Sequence, residues 1–129
     1  MEQPKYLIDT NAVIDYLGEK LPTSRMSFWG NVIDIIPNIS VITKIKLLGF
    51  NAAGEHYQTL IDFVNDAVVL DLTSNVVTAS IDIRKNQKTK LPDAIIAATG
   101  VVYGLKLITR NIADFKNIPG LDLINPWEL

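Results

Sequence analysis

Short apolar runs of β type recur at Tyr6 to Ile8, Ile39 to Ile42, Ala67 to Leu70, Lys106 to Ile108 and Leu121 to Ile124. Stretches with helical spacing separate them, so the chain predicts an α/β alternation. Several runs are almost continuously apolar, among them Val68-Val69-Leu70 and Leu105 to Ile108. That pattern predicts strands covered by helices on both faces of a parallel sheet. Tyr57, Leu60, Ile61 and Val64 fall at i, i+3, i+4 and i+7, and Met26, Trp29 and Ile33 trace a second such stripe. Both read as core-facing helix surfaces. The segment from Asp93 to Tyr103 is apolar nearly all round and opens with Leu91-Pro92. It predicts a buried helix with proline in its first turn and Gly104 as its cap. Trp127 is expected to pack the C-terminal tail.

A length of 129 residues fits one domain with a sizeable core, spanning 1–129. No apolar run approaches the roughly twenty residues that cross a bilayer. The start, Met1-Glu2-Gln3-Pro4-Lys5-Tyr6, lacks the basic and then apolar pattern of a secretory signal. The expectation is a cytosolic, soluble protein with no membrane partner. The chain has no cysteine and one histidine, His56, which excludes thiolate chemistry and histidine clusters. Any metal must therefore sit on oxygen ligands. With a net charge of −2, binding to nucleic acid would have to rest on a local basic patch.

The acids give the chemistry. Asp9 ends the first predicted strand, on the carboxyl side of the sheet where open α/β folds bind ligands. Taken alone, Asp9 or Thr10 could equally cap the helix that follows. Asp93 lies in the first turn of the buried helix, where the helix dipole favours an anion but idle charge beside apolar surface is costly. Asp114 follows the Leu105 to Ile108 strand, again on the carboxyl side, and could equally be a solvated loop acid. Three carboxylates on one rim would repel one another and favour a hard divalent cation such as Mg²⁺ or Mn²⁺. Such an ion suits phosphodiester hydrolysis.

Three stretches stand out: Leu7-Ile8-Asp9-Thr10-Asn11, Leu91-Pro92-Asp93-Ala94-Ile95-Ile96-Ala97-Ala98, and Thr109-Arg110-Asn111-Ile112-Ala113-Asp114-Phe115. They resemble the signatures of the PIN-domain family, and in particular its VapC-like ribonuclease toxins. The resemblance implies a three-layer α/β/α sandwich with a mostly parallel sheet. It also implies a Mg²⁺- or Mn²⁺-dependent endoribonuclease toxin, a cognate antitoxin protein as partner and a homodimer. By the same resemblance Asp9, Asp93 and Asp114 are the metal ligands and catalytic acids. Thr10, Asn11, Thr109 and Asn111 would stand around them, orienting carboxylates or metal-bound water; capping and turn formation account for these residues as well. Arg110 is a candidate contact to RNA or antitoxin. Arg84, in a basic run with Lys85, Lys88 and Lys90, could guide RNA phosphates or simply be a solvated helix end.

The chain departs from that family in one segment. Similar toxins carry a glutamate at the place of Lys46, and some relatives an acid at the place of Lys44. Two positions apart on a helix, these side chains point roughly 200° apart, so one of them faces the site; Lys46 is the one expected to do so. A unit charge at about 4 Å is worth about 4 kcal/mol at an effective dielectric of 20. Lys46 is therefore expected to impair metal binding by pairing with Asp9 or Asp93 in the cation's place. Two alternatives stay open: Lys46 turns to solvent and the three aspartates still hold a metal, or the chain is a degenerate module that binds RNA or protein without cleavage. A receiver-like phosphoacceptor, suggested by Asp71 after Val68-Val69-Leu70, lacks the neighbouring acids and final lysine it would need.

Overall fold

In the computed structural model, which describes residues 6–18, 37–51 and 53–126, five parallel strands form one sheet in the order β3-β2-β1-β4-β5. They are β1 (Tyr6–Ile8), β2 (Asn38–Ser40), β3 (Val68–Leu70), β4 (Lys106–Ile108) and β5 (Leu123–Ile124). The helices are α1 (Thr10–Leu17), α2 (Val41–Leu48), α3 (Gly54–Asp66), α4 (Ser74–Asn86), α5 (Leu91–Tyr103) and α6 (Ile112–Phe115). The Met26, Trp29 and Ile33 stripe and Trp127 lie outside the described residues.

Strand alternation sorts the core into two layers. Successive side chains of a strand point to opposite faces, so Leu7 and Leu107 join Val76, Ile83 and the buried residues of α5 on one face. Ile8 and Ile108 join Ala12, Val13, Leu47, Leu60, Phe63 and Val64 on the other. A central parallel sheet with helices on both faces is the expected three-layer α/β/α sandwich. The register sets Leu7 beside Leu107 and Ile8 beside Ile108, so β1 and β4 end level with each other.

Two strand predictions are corrected. The run from Ile39 to Ile42 does not continue as a strand: the buried Ser40 hydroxyl accepts the Ile42 N–H at 3.1 Å, and the helix α2 starts at Val41. That N-cap outweighs the β preference of Val41 and Ile42. Val68-Val69-Leu70 is apolar but is an edge strand with Val68 41% exposed, so it is not covered on both faces. Apolar character alone cannot distinguish an edge from a centre.

Helix α5 is buried from Ala94 through Gly100, with Pro92 in its first turn. Gly100 lets the helix lie tightly: a Cβ there would stand 2.8 Å from Leu121 Cδ1. Gly104 ends it with φ +65°, its N–H reaching Val101 O and the Leu105 N–H reaching Gly100 O at 2.9 Å. This left-handed cap turns the chain directly into β4.

Candidate active site

The chain leaves β1 toward β2 on one side, while β4 lies on the other side of β1. Strand order reverses at this junction, where open parallel sheets form a crevice at their carboxyl ends. Asp9 and Thr109 are the residues that follow the two strands. Asp9 is 4% exposed and both of its oxygens are engaged. Oδ1 accepts the Thr10 N–H at 2.8 Å, which makes Asp9 the cap of α1. Oδ2 accepts the Thr109 hydroxyl at 2.8 Å and the Asn11 amide at 3.1 Å. Asn11 then accepts the Arg110 N–H at 3.1 Å, and the Thr109 hydroxyl accepts the Asn111 N–H at 3.0 Å. These bonds tie the start of α1 to the end of β4 and hold the carboxylate in one orientation. Capping and site building are thus combined in one side chain. Burial still pushes the Asp9 carboxyl above its ordinary range, against the downward pull of Thr109, the Thr10 N–H, the Lys46 charge and Asn11.

Asp93 projects from the first turn of α5, half-buried, and Asp114 stands exposed on α6. Burial is the largest cause that lifts the Asp93 carboxyl; the Lys46 charge pulls it down, the Asp9 and Asp114 charges push it up, and Lys90 pulls it down. Asp93 therefore senses both other aspartates and both lysines. Lys46 reaches this place through α2: the buried Thr43 meets the Thr10 hydroxyl at 3.2 Å. Lys46 follows one turn later, on a neighbouring position of the same face. Lys44 is exposed and is not among the main causes of either shift. The pairing expected of Lys46 with Asp9 or Asp93 is not made: Lys46 is exposed and has no ion pair within 4.0 Å among the described residues, so its charge acts on both aspartates through space.

A model of the PIN domain matches residues 6–121. The chain belongs to the PIN domain family. This PIN domain is similar to a chain of a toxin-antitoxin complex from Klebsiella pneumoniae, at 28% identity and a TM-score of 0.76 over 97% of this chain and 100% of that one. It shares its fold with a chain of DNA-bound VapBC from Salmonella typhimurium and with a chain of FitAcB from Neisseria gonorrhoeae. Each of these is 23% identical, with a TM-score of 0.78 over 96% of this chain and 99% of theirs. No curated protein matches it significantly. The VapC-like resemblance carried by the three motifs thus extends over the fold as a whole.

The donor chemistry of this PIN domain fits a hard divalent cation. Its candidate ligands are carboxylate oxygens, and the Asp9 and Asp93 carboxyls are both lifted chiefly by burial, with the Asp9 and Asp114 charges adding to the lift at Asp93. Among the described residues, no three acids stand close enough together to enclose an ion unaided. Thr109→Val is expected to cost about 1–3 kcal/mol in chemical denaturation, because it leaves the Asn111 N–H and part of Asp9 without their partner inside the fold. A loss below a few tenths of that range would mean that water replaces the hydroxyl.

One residue of this neighbourhood escaped the sequence reading. Asp15 is buried on α1, and Arg110 reaches it, with Nη1 3.1 Å from Oδ2. The signal was an acid one turn beyond Asn11, beside the apolar Ala12 and Val13. Arg110, proposed from sequence as a contact to RNA or antitoxin, thus also neutralises an internal charge. Arg110→Met is expected to destabilise the fold by about 1–2 kcal/mol, less than a fully buried pair would lose because Arg110 is 51% exposed. Urea unfolding with and without Asp15→Asn checks this: the double variant should recover part of the loss. Arg84, the other candidate for RNA, donates to Thr89 O at 3.1 Å and braces the loop before α5.

Proposed function

We propose that this chain is a single PIN domain acting as the toxin of a toxin-antitoxin pair, a Mg²⁺- or Mn²⁺-dependent endoribonuclease whose activity is held down by Lys46. The observation that supports the reading is the placing of the acids: Asp9 is buried where β1 ends at the reversal of strand order, and Asp93 and Asp114 line one cavity. Asp9, Asp93 and Asp114 are the residues that would hold the ion. When bound, the ion supplies water activation and stabilises charge on the phosphodiester. Asp9 is oriented in advance by Thr109, Asn11 and the Thr10 N–H. Asp93 is held at the start of a rigid, buried helix, and Asn111 joins the Asp9 network through its backbone N–H.

The toxin reading brings an antitoxin partner, a homodimer and a cytosolic location into the proposal. No described helix is long and apolar enough to cross a membrane. Exposed apolar side chains give protein partners surface to cover: Ile14 and Phe50 on one hollow, Leu72, Ile81 and Leu91 on another.

A second reading is favoured by one observation, the lysine charge among the acids: a degenerate PIN module that binds RNA or a protein without cutting. Cleavage of a structured RNA pool in Mg²⁺ or Mn²⁺ separates the two. The chain is compared with Lys46→Glu, and Lys46→Glu/Asp93→Asn controls for contaminating nuclease. Cutting by Lys46→Glu that the control lacks supports the nuclease; equal products from all three, or none from any with an RNA that binds, sinks it.

A further inference from the structure

A polar cavity of about 550 Å³ opens beside the acids, between the loop joining α4 to α5 and the chain after α6. Lys88 and Lys90 line it from the first segment and Lys116 from the second, with Asp93 and Asp114 also in its wall. We propose that this cavity is a phosphate-binding groove that leads a single RNA strand to the carboxylates of Asp93 and Asp114. The proposal rests on the nuclease reading of the same acids and adds the path of the substrate to it.

The tertiary structure does what the linear basic run does not. Of the four basic residues at 84, 85, 88 and 90, only Lys88 and Lys90 line this cavity; Arg84 and Lys85 border an apolar hollow with Ile81 and Leu91. Lys116 joins them from a distant segment. In a chain of net charge −2 this is a concentration of positive charge against the overall balance. None of the three lysines makes an ion pair within 4.0 Å among the described residues, so each is available to an anion. The walls are braced: the Gln87 side-chain amide donates to Asn117 O, linking the two segments, and Arg84 holds Thr89 O.

The lining identifies the ligand class. Small-molecule pockets are mostly apolar with a few polar groups, whereas this cavity offers ammonium groups and side-chain amides, with Asn86 among them. Lysine ammoniums on long stems act as point charges that follow a flexible phosphate backbone. An acidic peptide would need apolar anchors or a strand edge as well, and none of these residues supplies one.

The test is anisotropy of a labelled single-stranded RNA of mixed sequence, in chelator so that nothing is cut. The chain is compared with Lys88→Glu, Lys116→Glu and their glutamine counterparts, and with Lys85→Glu and Lys106→Glu as controls of equal charge change. Each groove glutamate variant should weaken binding on the order of tenfold, and each groove glutamine variant should lower the salt slope by about 0.7, the value for one single-strand phosphate contact. The controls should change binding far less. Groove variants no weaker than the controls, no RNA binding by the unaltered chain, or full displacement of RNA by an acidic peptide of equal charge at matched concentration would overturn the groove. Cleavage by Lys46→Glu alongside any of those results leaves the nuclease reading standing. Groove-dependent binding without cleavage by any variant does the reverse.

Discussion

Lys46→Glu is expected to bind Mg²⁺ roughly tenfold to a hundredfold more tightly than the unaltered chain. The charge beside Asp9 and Asp93 changes by two units. At about 4 Å a unit charge is worth about 1 kcal/mol in water and about 4 kcal/mol at an effective dielectric of 20, and about 1.4 kcal/mol is a factor of ten in affinity. The exposure of Lys46 places the effect nearer the aqueous end of that range. Lys46→Met, which removes the charge without adding a carboxylate, should fall between the two. Titration calorimetry at low and physiological salt checks the cause as well as the size, because screening should narrow the differences among the three proteins. Equal affinities throughout would mean that Lys46 does not govern the site. Lys44→Glu is the internal control: Lys44 is not among the main causes of the shift of either aspartate, so its reversal should change affinity little.

Asp93→Asn should abolish cleavage in the Lys46→Glu background while stabilising the metal-free fold at neutral pH. The loss of activity should be at least about a hundredfold, the upper end of what losing a supporting residue costs a metal site. The gain in stability follows from linkage. A carboxyl lifted in the folded state holds its proton more tightly there than when unfolded. Its favourable contribution is full at pH below the ordinary carboxylate range and is lost as pH rises through the lifted value. At neutral pH the ionised Asp93 therefore works against the fold, and asparagine removes that charge. Urea unfolding across mildly acidic to neutral pH should show the variant's advantage growing as pH rises. An advantage that is absent or shrinks with pH would contradict the burial, and the neighbouring acid charges, that lift Asp93. Asp9→Asn is the less clean variant, because the amide would place donors where Asp9 now accepts three hydrogen bonds. The expected cost of function and gain of stability at one residue is the ordinary conflict at sites built from like charges.

Much of this was legible from residues alone, because the physics involved is local. Pro92 and Gly104 delimit α5 through backbone geometry that any context would impose. Helix α3 was visible in its spacing, although Phe63, which is buried with Leu60 and Val64, was not in the expected stripe. The overextension of β2 into Val41 and Ile42 arose where two local signals disagree, β-branched side chains against a serine cap.

The alternation of elements, the parallel α/β class and the placing of Asp9, Asp93 and Asp114 after strands or at a helix start follow from periodicity and chain order, which the sequence contains in full. Which strands lie at the edge does not, because Val68-Val69-Leu70 is as apolar as a central strand and only its single neighbour, β2, reveals its place. The pairing of Arg110 with Asp15 spans 95 residues and that of Thr109 with Asp9 spans 100. Separations of that size are set by how β1 and β4 register, not by any local propensity. The same holds for Lys116 meeting Lys88 and Lys90, whereas the influence of Lys46 on Asp9 and Asp93 was expected from the family's pattern and only its through-space form came from the fold. Charge acts through space, so its consequences became definite only when the sheet brought distant parts of the chain together.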